Sequence, residues 1–338
     1  MIWLTWRQFR AQAATVYAAV AVFAVVLAIT GPRLLDLDRA GANVFDQLTS
    51  IDRDLYYAGL VVMAVTPAVI GAFWGAPMVA RELETGTHRL AWNQSITRTR
   101  WLATKLAITT LATVTAVGVL ALAVTWWAGP LDGASSTTRG GLPSRLTPVA
   151  FAMRGIAPVG YAVFALALGV AVGVLLRRTV PAMALTLAAF TLAQIAMPLW
   201  VRPHLLPPTQ QTVTITETNF AGIGISGPDT VTRLTVTTGN RDDWVLSNQT
   251  ADASGQVITA LPSWMADCVP PPGPAGTGRA SALQPCLARL TDLGYRQRLV
   301  YQPADRFWPL QWAETTLFLA LSALLTWFCF WWTRHRLT

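Results

Sequence analysis

Residues 155–201 read GIAPVGYAVFALALGVAVGVLLRRTVPAMALTLAAFTLAQIAMPLWV. Two runs without Asp, Glu, Lys or Arg, Gly155–Leu176 and Thr179–Val201, are separated only by Arg177 and Arg178. Each is long enough to cross some 30 Å of hydrocarbon as a helix, which takes about 20 residues. Working outward, four more charge-free runs of the same kind appear: Ala11–Pro32, Leu55–Ala80, Leu106–Leu131 and Thr315–Thr333. Lipid offers no partner for stray backbone N–H and C=O groups, so the runs are read as helices. The expected fold is an α-helical polytopic membrane protein with six transmembrane helices. Composition agrees: 53% of the residues are hydrophobic and 12% charged, about half the roughly 25% charged content of soluble domains.

Loop charge assigns the sides. The N-terminus (Arg7, Arg10), the second loop (Arg81, Arg89, Arg98, Arg100, Lys105), the fourth loop (Arg177, Arg178) and the C-terminus (Arg334, Arg336) oppose these cations only with Glu82 and Glu84. That side is expected to be cytoplasmic, with both termini on it, in a multi-pass protein of the cell membrane. The other side holds the remaining 14 basic and 15 acidic residues, so the net charge of +8 is a topology signal and a nucleic-acid partner loses its motivation. Residues 1–10, MIWLTWRQFR, read as an N-terminal interfacial helix on the headgroups or as a downward extension of helix one. A cleaved leader is disfavoured, because the run exceeds the usual 7–15-residue signal core and Trp3 and Trp6 precede it.

The expected layout is residues 11–201 for helices one to five, with a cytoplasmic loop at 80–105, then an extracytoplasmic domain at 202–314, and helix six with its tail at 315–338. The 202–314 segment reads as a small α+β domain. Thr212, Thr214, Thr216 and Thr218 alternate with Val213 and Ile215 as in a half-buried strand. A second strand is expected at Val231–Thr237, stopped by Gly239 and Asn240, and a helix at Ala282–Gly294 with Leu283, Cys286, Leu287 and Leu290 on one stripe. Cys268 and Cys286 flank a Pro/Gly-rich loop; a disulfide between them suits an oxidising compartment, and two free thiols in a small core are the alternative. The acidic loop with Asp36, Asp38, Asp46, Asp52 and Asp54 lacks the EF-hand spacing, so no metal site is expected.

Several chemistries are excluded. Lys105 is the sole lysine and sits in ATKLA without a glycine loop, so the chain is no self-contained P-loop ATPase. No HExxH or GxSxG is present, His88, His204 and His335 lie outside the runs, and no enzymatic activity is expected. The runs carry no ionisable residue on which ion coupling could depend. Energy is then expected from outside the chain, and the loop Ala80–Lys105 is the expected contact: Glu82 and Glu84, a break at Gly86, an apolar patch at Leu90–Trp92, then Arg98 and Arg100. From the residues alone this is either a short helix that docks into a soluble partner or a basic loop held by phospholipid headgroups.

RELETGTHRLAWNQSITRTRWLATK (81–105) resembles the loop between the second and third spans of ABC transporter permeases of the type 2 exporter class. Residues 167–190, ALGVAVGVLLRRTVPAMALTLAAF, and 301–337, YQPADRFWPLQWAETTLFLALSALLTWFCFWWTRHRL, look like actinobacterial members, and an Arg-to-Lys ratio of 24 to 1 is compatible with a high-GC genome. The resemblance implies a permease paired with a second permease copy, as a homodimer, above two copies of an ABC ATP-binding subunit that carry ATP and Mg; this chain itself holds no cofactor. It also implies that Glu82, Glu84, Gly86, Thr87 and Arg89 form the element that contacts the ATPase. The large 202–314 domain is a departure from minimal members. Gly169 and Gly173 form a GxxxG that permits close helix packing, within the subunit or between copies. Pro67, Phe73, Trp74, Gln194 and Met197 are the expected pathway lining, with lipid contact or core packing as the alternative for each. An amphipathic cargo, whether antibiotic, lipid or peptide, would suit such an uncharged path. The rival is a membrane-anchored sensor or assembly factor whose external domain binds a ligand without transport.

Overall fold

The computed structural model describes residues 2–40, 44–87, 97–133, 142–225, 231–240, 242–268 and 278–336. Two compact units result, one from residues 1–205 with 307–338 and one from residues 206–306.

Among the described residues, six helices are long and apolar enough to cross a membrane, all in the first unit but for the opening residues of the last: Phe9–Arg39, Ser50–Glu84, Arg98–Asp132, Ala157–Leu176, Thr179–Leu205 and Ala304–His335. As elements these are α1 (Ile2–Arg39), α2 (Ser50–Val69), α3 (Ala76–Glu84), α4 (Arg98–Gly133), α5 (Pro148–Ala152), α6 (Ala157–Leu176), α7 (Thr179–Ala196), α8 (Arg202–Leu205) and, beyond the second unit, α10 (Phe307–His335). Residues 2–10 continue into the first span without a break, so the second of the two readings of the N-terminus describes its backbone. Single turns of π-helix, Ile70–Gly75 and Met197–Val201, join α2 to α3 and α7 to α8. Pro67 lies just before the first and Pro198 inside the second. Proline supplies no N–H, and helices widen locally where the ladder is interrupted.

Charge-free runs understate these helices, because a helix continues for as long as its polar side chains find partners. Lys105 therefore lies inside α4 and Glu314 inside α10, and the helical spans carry ionisable groups that the runs excluded. α6 is apolar on every face and is accordingly the central helix, buried along nearly its whole length from Ala157 to Val174, whereas the first span is largely exposed. Its glycines set the packing. A Cβ on Gly169 would come within 2.7 Å of the Ala76 amide nitrogen, and one on Gly173 within 2.5 Å of the Ala76 carbonyl oxygen. Gly71 and Gly75 answer from the π-turn, where an added Cβ would meet the carbonyl oxygens of Ala165 and Leu166. The GxxxG thus packs within the subunit, backbone on backbone.

The second unit contains β1 (Thr209–Thr214), β2 (Phe220–Ile225), β3 (Val231–Val236), β4 (Trp244–Ala251), α9 (Gly278–Asp292) and β5 (Arg296–Gln302). β1, β5 and β4 form an antiparallel sheet in that order, and β2 pairs with β3 as a hairpin. The Val231 strand and the helix lie near their expected positions. The first strand is corrected: it ends at Thr214, because Asn219 receives the Thr216 N–H on its Oδ1 and donates to the Thr214 carbonyl, folding the chain into a turn. Leu234, Met265, Leu290 and Leu299 lie at the centre of the apolar core. The Cys268–Cys286 disulfide, 18 residues apart, ties α9 to the segment after β4.

Candidate functional site

Both carboxylates of the expected ATPase-contact element sit in the last turn of α3, and each is bound to a different span. Glu82 reaches Lys105 on α4 at 2.6 Å, with the two side chains only 17% and 6% exposed. The ammonium also donates to the Met78 carbonyl at 3.3 Å and lies 4.8 Å from the Trp101 ring centre. Its charge is thereby met by a carboxylate, a carbonyl and a π-face, the compensation a buried cation needs. Two residues on, Glu84 Oε2 accepts from the Thr179 N–H at 2.9 Å and from its hydroxyl at 2.7 Å. This carboxylate, from another helix, does for the first turn of α7 what an N-cap side chain does.

The chain leaves α3 through Thr85 and Gly86, whose φ of +72° is the left-handed conformation that ends helices. Thr85 and Thr87 share a hydroxyl hydrogen bond of 3.0 Å. Arg89 and the apolar patch at Leu90–Trp92 lie outside the described residues. The end of α3 adjoins the ends of the other spans: Arg334 donates to the Thr99 hydroxyl and Arg177 to the Arg336 carbonyl. This basic end of the helical unit also carries a cleft of about 510 Å³ between α1, α3 and α4, whose walls include Trp74, Glu82, Thr87 and Lys105.

At the opposite end, ion pairs join the spans two by two. Arg33 bonds Asp52 at 3.1 Å between the first and second, where Asp52 and Thr49 also form a capping box for α2. Arg154, just before the fourth, pairs with Asp132 at the end of the third. Arg202 and Glu314 join the fifth and sixth through a two-pronged contact at 2.7 and 3.0 Å, both fully buried. The Tyr161 hydroxyl donates to the same carboxylate, Arg202 also donates to the Pro148 carbonyl at 3.0 Å, and its guanidinium stacks 4.3 Å from the Phe151 ring centre. One turn earlier, Gln311 accepts from the N–H groups of Ile156 and Ala157 and so caps α6.

These polar groups were not among the expected site residues. A signal for them exists: Arg202 and Glu314 stand at the outer edges of runs five and six, and Lys105 at the edge of run three, so opposite charges face each other across paired run ends. The expected lining residues do not converge on one cavity. Trp74 is buried against Phe9 at 4.7 Å between ring centres and faces the cleft, whereas Phe73 is 49% exposed on the outer surface. Pro67 is buried in α2, Met197 packs with Phe190 and Phe318, and Gln194 is half-buried on α7.

Six apolar helices, basic at one end and joined by ion pairs at the other, define a multi-pass membrane protein. Residues 17–202, more than half of the chain, match the family model described as "ABC-2 membrane transporter related", and the chain belongs to that family. ABC-2 permeases work with an ABC ATPase, so a partner of that kind is implied in general. No curated protein and no solved structure shows a measurable match to the chain.

Proposed function

We propose that the chain is the permease subunit of an ATP-driven exporter that carries an amphipathic substrate, an antibiotic, lipid or peptide, out of the cell. The basic end faces the cytoplasm, in line with the bias of Arg and Lys toward that side. The α+β unit lies outside, a reading supported by its disulfide. Two copies of the chain form the pathway above two ATPase subunits, which supply ATP, Mg and all the hydrolytic chemistry. The actinobacterial likeness of 167–190 and 301–337 belongs to the same reading.

The observation that carries it is the wiring of α3. Its last turn is tied to α4 through Glu82 and Lys105 and to α7 through Glu84 and Thr179, and its first residue, Ala76, lies against Gly169 and Gly173 of α6 with no room for a Cβ between them. A push on the segment that follows Gly86 therefore moves three other spans at once, which is what a partner that changes shape on binding ATP requires of its permease.

Co-purification and turnover test this. The solubilised chain is expected to bring down an ABC ATP-binding subunit, and Glu84→Ala or Thr179→Val to lower transport in the reconstituted pair while leaving the ATPase bound. If no such subunit co-purifies, and ATP hydrolysis is indifferent to Glu82 and Glu84, the permease reading fails and a sensing role for the α+β unit takes its place.

A further inference from the structure

The cleft at the basic end is divided by chemistry. Phe9, Trp74, Pro77 and Met78 make one wall apolar, and the rim carries Arg81, Thr85, Thr87 and Gln12, all exposed. Inside it, the charges of Glu82 and Lys105 offset one another at 2.6 Å. The guanidinium of Arg81 then gives the cleft a net positive charge, while the Thr85 hydroxyl on the same rim donates to the Arg81 carbonyl at 2.9 Å and lies 3.0 Å from that of Thr87. A guanidinium is a planar fork of donors suited to phosphate oxygens. A free anion has no use for the aromatic wall, however, and the volume of about 510 Å³ falls in the range of sites for drug-sized ligands.

Depth identifies the ligand. The exposed indoles of Trp3 and Trp6 begin α1 two turns or less from Phe9, and Trp331 is exposed near the end of α10, which meets α4 at this same end. Exposed indoles of this kind mark the level of lipid headgroups. We propose that the cleft between α1, α3 and α4 is a binding site for the headgroup of an anionic phospholipid, with the phosphate held by Arg81 and the glycerol and first methylenes against Phe9, Trp74 and Met78. Bound there, the lipid braces the end of α3 against α1. The site needs only the membrane placement of the chain, and it stands whether or not the export reading does.

Native mass spectrometry of the purified chain from nanodiscs of equal phosphatidylglycerol and phosphatidylcholine tests it without any ATPase. Wild type retains phosphatidylglycerol in preference to phosphatidylcholine. Arg81→Gln lowers that retention about fivefold, the effect of one basic residue near a charged membrane surface, and Arg39→Gln at the opposite end leaves it unchanged. Equal retention of the two lipids by wild type, or an equal loss in both variants, overturns the proposal. Glycerol 3-phosphate separates the sources: failure to displace the lipid at millimolar concentration supports a lipid site, and full displacement shows a site for a soluble phosphate and overturns the lipid assignment.

Discussion

Arg202 and Glu314 meet where no water reaches either, and neither charge is affordable alone. Removing one partner of a buried pair typically costs about 3–5 kcal/mol, whereas replacing both with apolar residues of similar volume is often neutral. Arg202→Met is therefore expected to lower the thermal unfolding midpoint of the detergent-solubilised chain sharply, and the double variant Arg202→Met/Glu314→Leu to recover most of the loss. Recovery will be incomplete because the Tyr161 hydroxyl and the Pro148 carbonyl lose their partners too. A gentler effect belongs to Asp252. The hydroxyl of Ser254, and then the N–H groups of Gln256, Ser254 and Gly255, hold its carboxyl below the usual carboxylate range. A depressed carboxyl stabilises the fold above its unfolded pKa, about 3.9, and the contribution is lost as pH falls through the folded value. The protection of the Ser254 and Gln256 amides, measured against intrinsic exchange at each pH, should fall below about pH 4, and Asp252→Asn should abolish that dependence.

Among the elements, α6 and the π-turn at Ile70–Gly75 depend on one another most closely. Gly169→Ala places a methyl group against the backbone of Ala76, which cannot yield as a side-chain tip can. The expected cost is about 1–3 kcal/mol for overpacking. Gly118→Ala is the matched control: a Cβ there meets nothing within 4 Å, so α4 should gain up to about 1 kcal/mol of helix propensity. Thermal melts of the two variants in one detergent compare them directly. Elements also show where sequence reading succeeds and where it stops. Six spans are legible because an uninterrupted apolar run near 20 residues matches the thickness of the hydrocarbon layer and exceeds what a soluble core helix buries on all sides. In the α+β unit, β3 is legible from its alternation, but β5 is hidden. Its sequence, RQRLVYQ, buries the amides Gln297 and Gln302, one on each face of the strand, and Gln297 donates to the Leu234 carbonyl and accepts from the Thr250 hydroxyl. Alternation of polarity cannot report a strand whose inward residues are amides.

For the whole molecule, the decisive test is which side each part faces. Cys268 and Cys286 are joined and Cys329 is buried, so a single introduced thiol can be read without replacing them. Ser254→Cys, in an exposed turn of the α+β unit, is expected to react with a membrane-impermeant maleimide on intact cells. A cysteine in place of Thr87 is expected to react only after permeabilisation. The reverse pattern would invert the proposed topology and move the α3 element away from any cytoplasmic ATPase.

The candidate site was legible to an unequal degree. Glu82, Glu84, Gly86 and Thr87 stand out in the sequence because acidic residues and a helix break are rare on the basic side, and the described chain brings them to one turn. Lys105 and Arg202 mark run edges and Thr179 marks nothing, but none of the three can be paired from the sequence, since nothing in a linear order says which span end meets which. Sequence by itself determined that six helices are long and apolar enough to cross the membrane, where the net charge lies and which cysteines lie together in the α+β segment, because hydrocarbon thickness and loop charge act locally along the chain. Only the tertiary structure decided that α3 is fastened to α4, α6 and α7, and that the buried cations Lys105, Arg154 and Arg202 each have a counterion on another helix. Burial makes an ion cost far more than its helix propensity, and that cost is met by a partner distant in sequence.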